Sequence, residues 1–449
     1  MTGIPLIVVF VLAIVVMIVA ISKYKIHPFL SIMTVSLVFG IIAGVPIAEL
    51  PKTIGEGFSG TFKSIGIVII FGALVGTLLE KTGAALKMAD LVVKVVGKKH
   101  PELAILIMGW IVSIPVFCDS GFVILNPIRK ALTKRTGTSS VAMTVALSMG
   151  LYISHCFIPP TPGPIAAADS LGIGDHLLLV ILLGAVLSIP PLVAGYLFAL
   201  YIGGKVKARD DEEDASLVKS YDQLIAEYGK LPGGCASFAP IIVPIILMAL
   251  ASGLAMAKIN CPVIAFLGTP VIALAVGVIL GVVLLASARK MDEFYAITND
   301  TLMIVGPILF ITAAGGVLGK VISVSGMVQY ITANSNVLST IGIFFPFVLA
   351  AILKTAQGSS TVAITTTAGM LAPVLPALGL DSPVLAALCV IAIGAGAMTV
   401  SHANDSYFWV VTNFGEMEPQ QGYRTQTLGT LVIGLASMLG VYIAYMVLA

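Results

Sequence analysis

Residues 114–127 read IPVFCDSGFVILNP. An apolar run that begins near residue 103 meets Cys118-Asp119-Ser120-Gly121, turns apolar again and ends at Asn126-Pro127. A carboxylate, a hydroxyl and a helix breaker interrupt an otherwise hydrocarbon-compatible segment. Whether the stretch crosses a bilayer or turns back inside it decides the fold.

The rest of the chain puts this stretch in a membrane. Of 449 residues 58% are hydrophobic and 10% charged, and the mean hydropathy is +1.07. A soluble domain carries about 25% charged residues. The net charge of +2 is too small to suggest nucleic acid as a partner. The five cysteines, Cys118, Cys156, Cys235, Cys261 and Cys389, are scattered without a CxxC and read as small apolar residues. Apolar runs near the ~20 residues that a span requires cover 4–21, 28–48, 62–79, 177–202, 238–257, 262–286, 302–320 and 425–448. The first has no basic flank and no A-x-A site, so it reads as a span and not a cleaved signal. Regions 101–170 and 337–412 are apolar but broken by polar, Gly and Pro clusters.

A charged stretch, 205–234, divides the chain almost in half and reads as a solvated linker with a short helix at 217–228. The halves share features in one order. Gly72, Gly76 and Gly83 are answered by Gly315, Gly319 and Gly326. His27-Pro28 is answered by Thr269-Pro270, CDSGFVI (118–124) by QGSSTVAI (357–364), and SHCFIPPTPGP (154–164) by SHANDSYFW (401–409). Such weak internal symmetry is the signature of secondary transporters. The expected organisation is a first transmembrane repeat, 1–203, a cytoplasmic linker, 204–236, and a second repeat, 237–449.

Basic residues orient it. With the N-terminus outside, 19 of the 24 Lys and Arg fall on the cytoplasmic side. The exceptions are Lys52, Lys63, Lys258, Lys320 and Lys354. The second half then starts from the opposite face, so the repeats are inverted and both termini are periplasmic. Lys98-Lys99 and Arg129-Lys130 land on one side. The return arm 121–132, about 18 Å as helix, is too short for ~30 Å of hydrocarbon. Residues 101–131 therefore predict a re-entrant hairpin with its tip at 118–121, and the matching tip lies at 356–361. The fold class expected is an all-α polytopic membrane protein of two inverted repeats, with re-entrant hairpins and interrupted helices.

Irregular backbone at membrane depth survives where protein or a water-filled cavity satisfies it, and half-helix N-termini point partial positive charge at the break. Two tips from opposite faces and two helices broken at 154–164 and 401–406 form a pocket suited to a small anion carrying hydroxyls. Asp119 is an ionisable group inside a membrane segment and so a functional candidate. It also suits a cap on the return arm. Asp405 is similar, and His155 and His402 occupy matching places as titratable groups or hydrogen-bonded core residues. These four are the candidate proton-coupling residues, Asp119 foremost. Lys354 is a substrate counter-ion, a partner for a buried carboxylate, or a side chain snorkelling to the interface. Gly358, Ser359, Ser360 and Thr361, with Ser120, Gly121, Thr161, Ser401 and Asn404, complete the substrate-binding set. Pro159, Pro160, Pro162 and Pro164 set the break. No metal or catalytic set is expected.

The segments FCDSGFVIL (117–125), PPTPGP (159–164), AQGSSTVAITT (356–366) and SHANDSYFW (401–409), with the opening KYKIHPFLS (23–31), resemble the gluconate permease (GntP) family of proton symporters. The resemblance covers nearly the whole chain. It implies the ion transporter superfamily fold, a bacterial inner-membrane location, and proton-coupled import of gluconate or a related sugar acid or hydroxy acid. It implies no cofactor beyond the coupling ion. Two positions depart from the family: Asp119-Ser120-Gly121 stands where Glu-Val-Gly is usual, and Thr161 where His is usual.

The expected function is thus a symporter working by alternating access, with the lipid bilayer and a small organic anion as partners and a homodimer as the assembly expected by analogy. Within transport the rivals are D-serine, glycerate, hydroxybutyrate, a uronate or a dicarboxylate, with sodium as an alternative coupling ion. A channel is a further reading. From another class, Asp119 and Asp405 as an aspartic-type dyad would make an intramembrane enzyme, although no dyad motif follows either residue.

Overall fold

Backbone that crosses hydrocarbon must satisfy its own polar groups, so apolar runs of this length close into helices. The computed structural model describes residues 3–96, 100–209, 231–256, 259–326, 330, 342–402 and 405–448, and among these there is no strand. The first half contains α1 (Ile4–Ser22), α2 (Pro28–Ala43), α3 (Leu50–Lys81), α4 (Ala84–Val96) and α5 (Pro101–Val112). It continues with α6 (Cys118–Thr136), α7 (Ser140–Phe157), α8 (Pro162–Ser170), α9 (Leu177–Leu187) and α10 (Ile189–Gly203). The second half contains α11 (Gly234–Met256), a short helix Pro262–Leu267, α12 (Pro270–Ser287), α13 (Phe294–Val324), α14 (Phe344–Gln357) and α15 (Ser360–Leu371). It ends with α16 (Pro383–Met398), α17 (Ser406–Phe414) and α18 (Leu428–Leu448). The linker helix expected at 217–228 and the candidate Asn404 lie outside the described residues.

The packing of one half is repeated in the other. α3 and α13, 32 and 31 residues long, lie against each other. At about 1.5 Å per residue each is longer than the hydrocarbon is thick. α2 packs on α13 as α12 packs on α3, and α5 packs on α7 as α14 packs on α16. α8 packs on α15 as α17 packs on α6. The short helix after each break thus rests on the returning arm of the other half's hairpin, which brings both turns and both breaks together.

Hydrophobic burial does not distinguish a helix neighbour from lipid, so close approach through small residues sets these contacts. A Cβ at Gly76 would overlap the Pro115 carbonyl oxygen in the first hairpin turn, and one at Gly319 would sit 2.7 Å from the Gly369 carbonyl oxygen on α15. The repeated glycines therefore seat the two hairpins against α3 and α13. The interrupted segment Ser140–Ser170 is wholly buried across its most apolar window, whereas only 33% of the window in Pro419–Leu448 is buried. The broken helix is central, and α18 faces the surroundings with Leu435, Leu439 and Ile443.

Several boundaries differ from expectation. The expected span 62–79 lies within the longer α3, and 262–286 divides at Gly268-Thr269 into two helices. The first hairpin turns over 113–117, not 118–121. Cys118-Asp119-Ser120 instead forms the first turn of a 19-residue α6. That helix is about 28 Å long, longer than the 18 Å expected. At that length the arm is no longer too short to cross, and its second half carries Arg129, Lys130, Lys134 and Arg135.

Candidate functional site

The second hairpin turns on a residue that has to be glycine. Gly358 has φ +82°, in the left-handed region, where a side chain collides with its own backbone. The next residue, Ser359, starts α15 by accepting the Val362 amide on its hydroxyl at 3.3 Å. One turn before the bend, Lys354 folds its ammonium back to donate to the Gly358 carbonyl oxygen at 2.7 Å. The same Nζ lies 2.5 Å from Asp405 Oδ2. Lys354 is 1% exposed, which removes the snorkelling reading and leaves a buried ion pair.

Asp405 arrives from the second break. The chain leaves α16 at Met398, passes Val400 at φ +59° and enters α17 at Ser406. A β-branched residue in that region is strained. Side chains of the last span satisfy the opened backbone: Thr430 Oγ1 accepts the Ser401 amide at 2.9 Å, and Thr427 Oγ1 donates to the Ser401 carbonyl at 2.6 Å. Asp405 then caps α17, its Oδ1 accepting the Tyr407 amide at 3.1 Å. Its Oδ2 also accepts the Ser401 hydroxyl at 2.5 Å and the Tyr152 hydroxyl at 3.4 Å.

The first break contributes from the opposite side. His155, buried in the last turn of α7, places Nε2 3.3 Å from Thr361 Oγ1. Its Nδ1 has no partner among the described residues. Thr161, also buried, turns its hydroxyl back to the Ile158 carbonyl at 2.8 Å and so holds the break. Ser360 is buried beside the Tyr152 hydroxyl.

Asp119 sits differently. The cap of α6 is Phe117, with no side-chain cap bond, so the capping role expected of Asp119 is not met. Its carboxylate accepts the Ser406 hydroxyl at 3.2 Å and faces the Cys118 thiol at 3.6 Å. It is half-buried, as are Ser120, Ser359 and His402, while Ser406 is exposed. These residues form the open edge of a cluster whose interior, Lys354, Asp405, Ser401 and Thr361, is closed. Gly121 lies within α6 beneath the Leu151 side chain, not in the turn. Asp119 and Asp405 hold different partners and share no hydrogen bond among the described residues, unlike an aspartic dyad.

Sequence reading missed two groups. Tyr152 and Tyr407 pack as tilted rings with centroids 5.0 Å apart, and the Tyr152 hydroxyl reaches Asp405 of the ion pair. A hydroxyl-bearing ring inside the apolar α7 was the available signal. Arg129, counted from sequence only among the charges of the cytoplasmic side, is fully buried. Its guanidinium donates to Asn126 Oδ1 at 2.7 Å, Ser140 Oγ at 2.6 Å and the Phe414 carbonyl at 3.4 Å. With the neighbouring Lys130–Glu416 ion pair, it pins the first hairpin to the end of α17.

A separate cleft of about 430 Å³ opens between the end of α8 and the start of α12, lined by Val68, Ile165, Asp169, Asp175 and Thr269 among others. None of the candidate residues lines it, and its two aspartates disfavour an anion.

Residues 4–447 match the model of the GntP family permeases. An uncharacterised permease of Haemophilus influenzae is 34% identical over 92% of this chain and 86% of its own length. A gluconate permease of Zymomonas mobilis is 30% identical over 95% of each chain. Among solved structures, the MtrF efflux pump of Neisseria gonorrhoeae aligns with a TM-score of 0.66 at 15% identity, over 95% of this chain and 96% of that one. At that identity it speaks for the fold alone. The chain is a multi-pass membrane permease and not an enzyme: it belongs to the GntP family.

Proposed function

We propose that this permease is a proton-coupled symporter that imports a gluconate-like sugar acid or hydroxy acid across the bacterial inner membrane by alternating access. Its two halves are inverted repeats with the linker on the cytoplasmic face, and its hairpins enter from opposite faces without crossing. The observation that carries the substrate class is the composition of the central cluster. It holds one buried ammonium, Lys354, paired with Asp405 and set among the hydroxyls of Tyr152, Ser360, Thr361 and Ser401. A single carboxylate suits the ammonium, and a polyol chain suits hydroxyl groups and a His155 nitrogen that has no partner among the described residues. The gluconate permeases among its relatives support the same class.

The carboxylates Asp405 and Asp119 are the proton-carrying candidates, since ionisable groups at membrane depth serve as relays. Purified protein in liposomes, given labelled D-gluconate, should accumulate it under an inward acid step. A sodium gradient without that step should give no accumulation. Accumulation that follows sodium and ignores the pH step would overturn proton coupling. No uptake of any sugar acid or hydroxy acid would overturn the substrate class.

A further inference from the structure

Lys354 and Asp405 hold each other at 2.5 Å, so neither charge is available to a ligand while the pair is intact. We propose that substrate and proton enter by splitting this pair: the substrate carboxylate replaces Asp405 on the Lys354 ammonium, and Asp405 takes up the coupling proton as it is released. The inference rests on the reading of the chain as a proton-coupled importer of a sugar acid or hydroxy acid.

An ammonium offers three donors, and here two are engaged, one by the Gly358 carbonyl and one by Asp405. A carboxylate arriving on Lys354 beside an ionised Asp405 places two like charges on one cation in a buried site. Neutralising one acid relieves that repulsion. The neutral form of Asp405 is already provided for. Its Oδ1 keeps the Tyr407 amide, and the Ser401 hydroxyl, 2.5 Å from Oδ2, can rotate from donor to acceptor. The charges balance. The empty site holds one ammonium and one carboxylate. The loaded site holds one ammonium, one substrate carboxylate and a neutral acid. One proton therefore accompanies each monoanion, and the substrate class narrows to acids with a single carboxylate.

The groups around Asp405 do not offer the same linkage. α7 presents Tyr152, His155 and Cys156, α6 presents Cys118 and Asp119, and the break presents His402, which hydrogen-bonds the Thr355 backbone. Among the described residues no cation is bonded to Asp119, so protonating it frees no cation for the substrate carboxylate.

The test is the affinity of the detergent-purified full chain for D-gluconate, measured calorimetrically across a range of pH around neutrality. In the wild type the affinity should fall about tenfold for each unit of rising pH, because the complex holds a proton that the empty site lacks. Asp405→Asn should bind with no pH slope and at least as tightly as the wild type does at the acidic end. Lys354→Met should lose at least about tenfold in affinity at every pH. Asp119→Asn, His155→Gln and His402→Gln should each keep the slope, whatever their affinity, and loss of it in any of them overturns the proposal even where Asp405→Asn fails to fold. A slope that survives in Asp405→Asn overturns the proposal and leaves proton symport standing. A wild type that binds gluconate without any slope overturns both.

Discussion

At the second hairpin the chain turns through a left-handed Gly358 and starts the return helix on the Ser359 hydroxyl. At the first it turns over 113–117, held by the Ser113 hydroxyl on the Val116 carbonyl at 2.8 Å, and starts on Phe117, which has no side-chain oxygen. The charges differ as well. The second hairpin carries on its entering arm a cation that is buried and paired with an acid, whereas the first carries on its returning arm an acid that meets a hydroxyl and a thiol at the cluster's open edge. The two hairpins thus hold opposite charge in different degrees of enclosure, Lys354 on an entering arm and Asp119 on a returning arm. The second hairpin is built to hold a fixed charge in place. The first presents its carboxylate where water or a ligand reaches it.

Lys354→Met tests that contrast with the largest effect. In the proposed scheme it removes the substrate's cation, and truncating one partner of a buried charge pair costs about 2–5 kcal/mol of binding. Gluconate uptake into liposomes should drop to background. The melting temperature in detergent should fall too, since Asp405 loses its ionic partner. Uptake within a factor of a few of the wild type would mean that the second hairpin does not hold the anion.

How far the sequence revealed this site depends on whether the information was local. Gly358-Ser359-Ser360 was legible because turn glycine and capping serine are adjacent in the chain, and the turn falls within the 356–361 expected. The first turn was placed too late because Gly121 looked like the turn residue. It is a helical residue beneath Leu151, and the turn uses Pro115, whose carbonyl fits only because Gly76 lies opposite. Lys354 was recognised, but its partner is 51 residues away and was one of three readings. Arg129 enters the sequence reading only as a charge that orients the spans, because flanking basic residues do so statistically. Nothing local tells that Ser140 and Phe414 enclose its guanidinium. The element order repeats legibly, whereas the pairing across halves depends on tertiary contacts that no spacing encodes.

A smaller effect is expected from Gly358→Ala. A side chain in the left-handed region costs about 1–2 kcal/mol, and the carbonyl of this residue receives the Lys354 ammonium. The variant should melt lower and take up gluconate several-fold more slowly. The matching substitution in the first hairpin, Gly121→Ala, should act through the Leu151 side chain, 2.7 Å from the new Cβ, and not through backbone strain. A Leu151→Ala background should therefore relieve Gly121→Ala and leave Gly358→Ala unrelieved.

The smallest expected effect isolates the cap. Ser359→Ala removes the hydroxyl that accepts the Val362 amide, and losing such a cap costs about 1 kcal/mol. The ion pair does not use the Ser359 hydroxyl, so stability should fall slightly while the pH dependence of gluconate binding stays as in the wild type. If Ser359 also contacts the substrate, affinity should fall together with stability. Ser359→Asn separates these outcomes, because asparagine restores the cap with a different shape. Recovery of the melting temperature without recovery of affinity would assign the hydroxyl to the substrate. Recovery of both would make Ser359 a cap alone, and the contrast between the hairpins would then rest on Lys354 and Asp119.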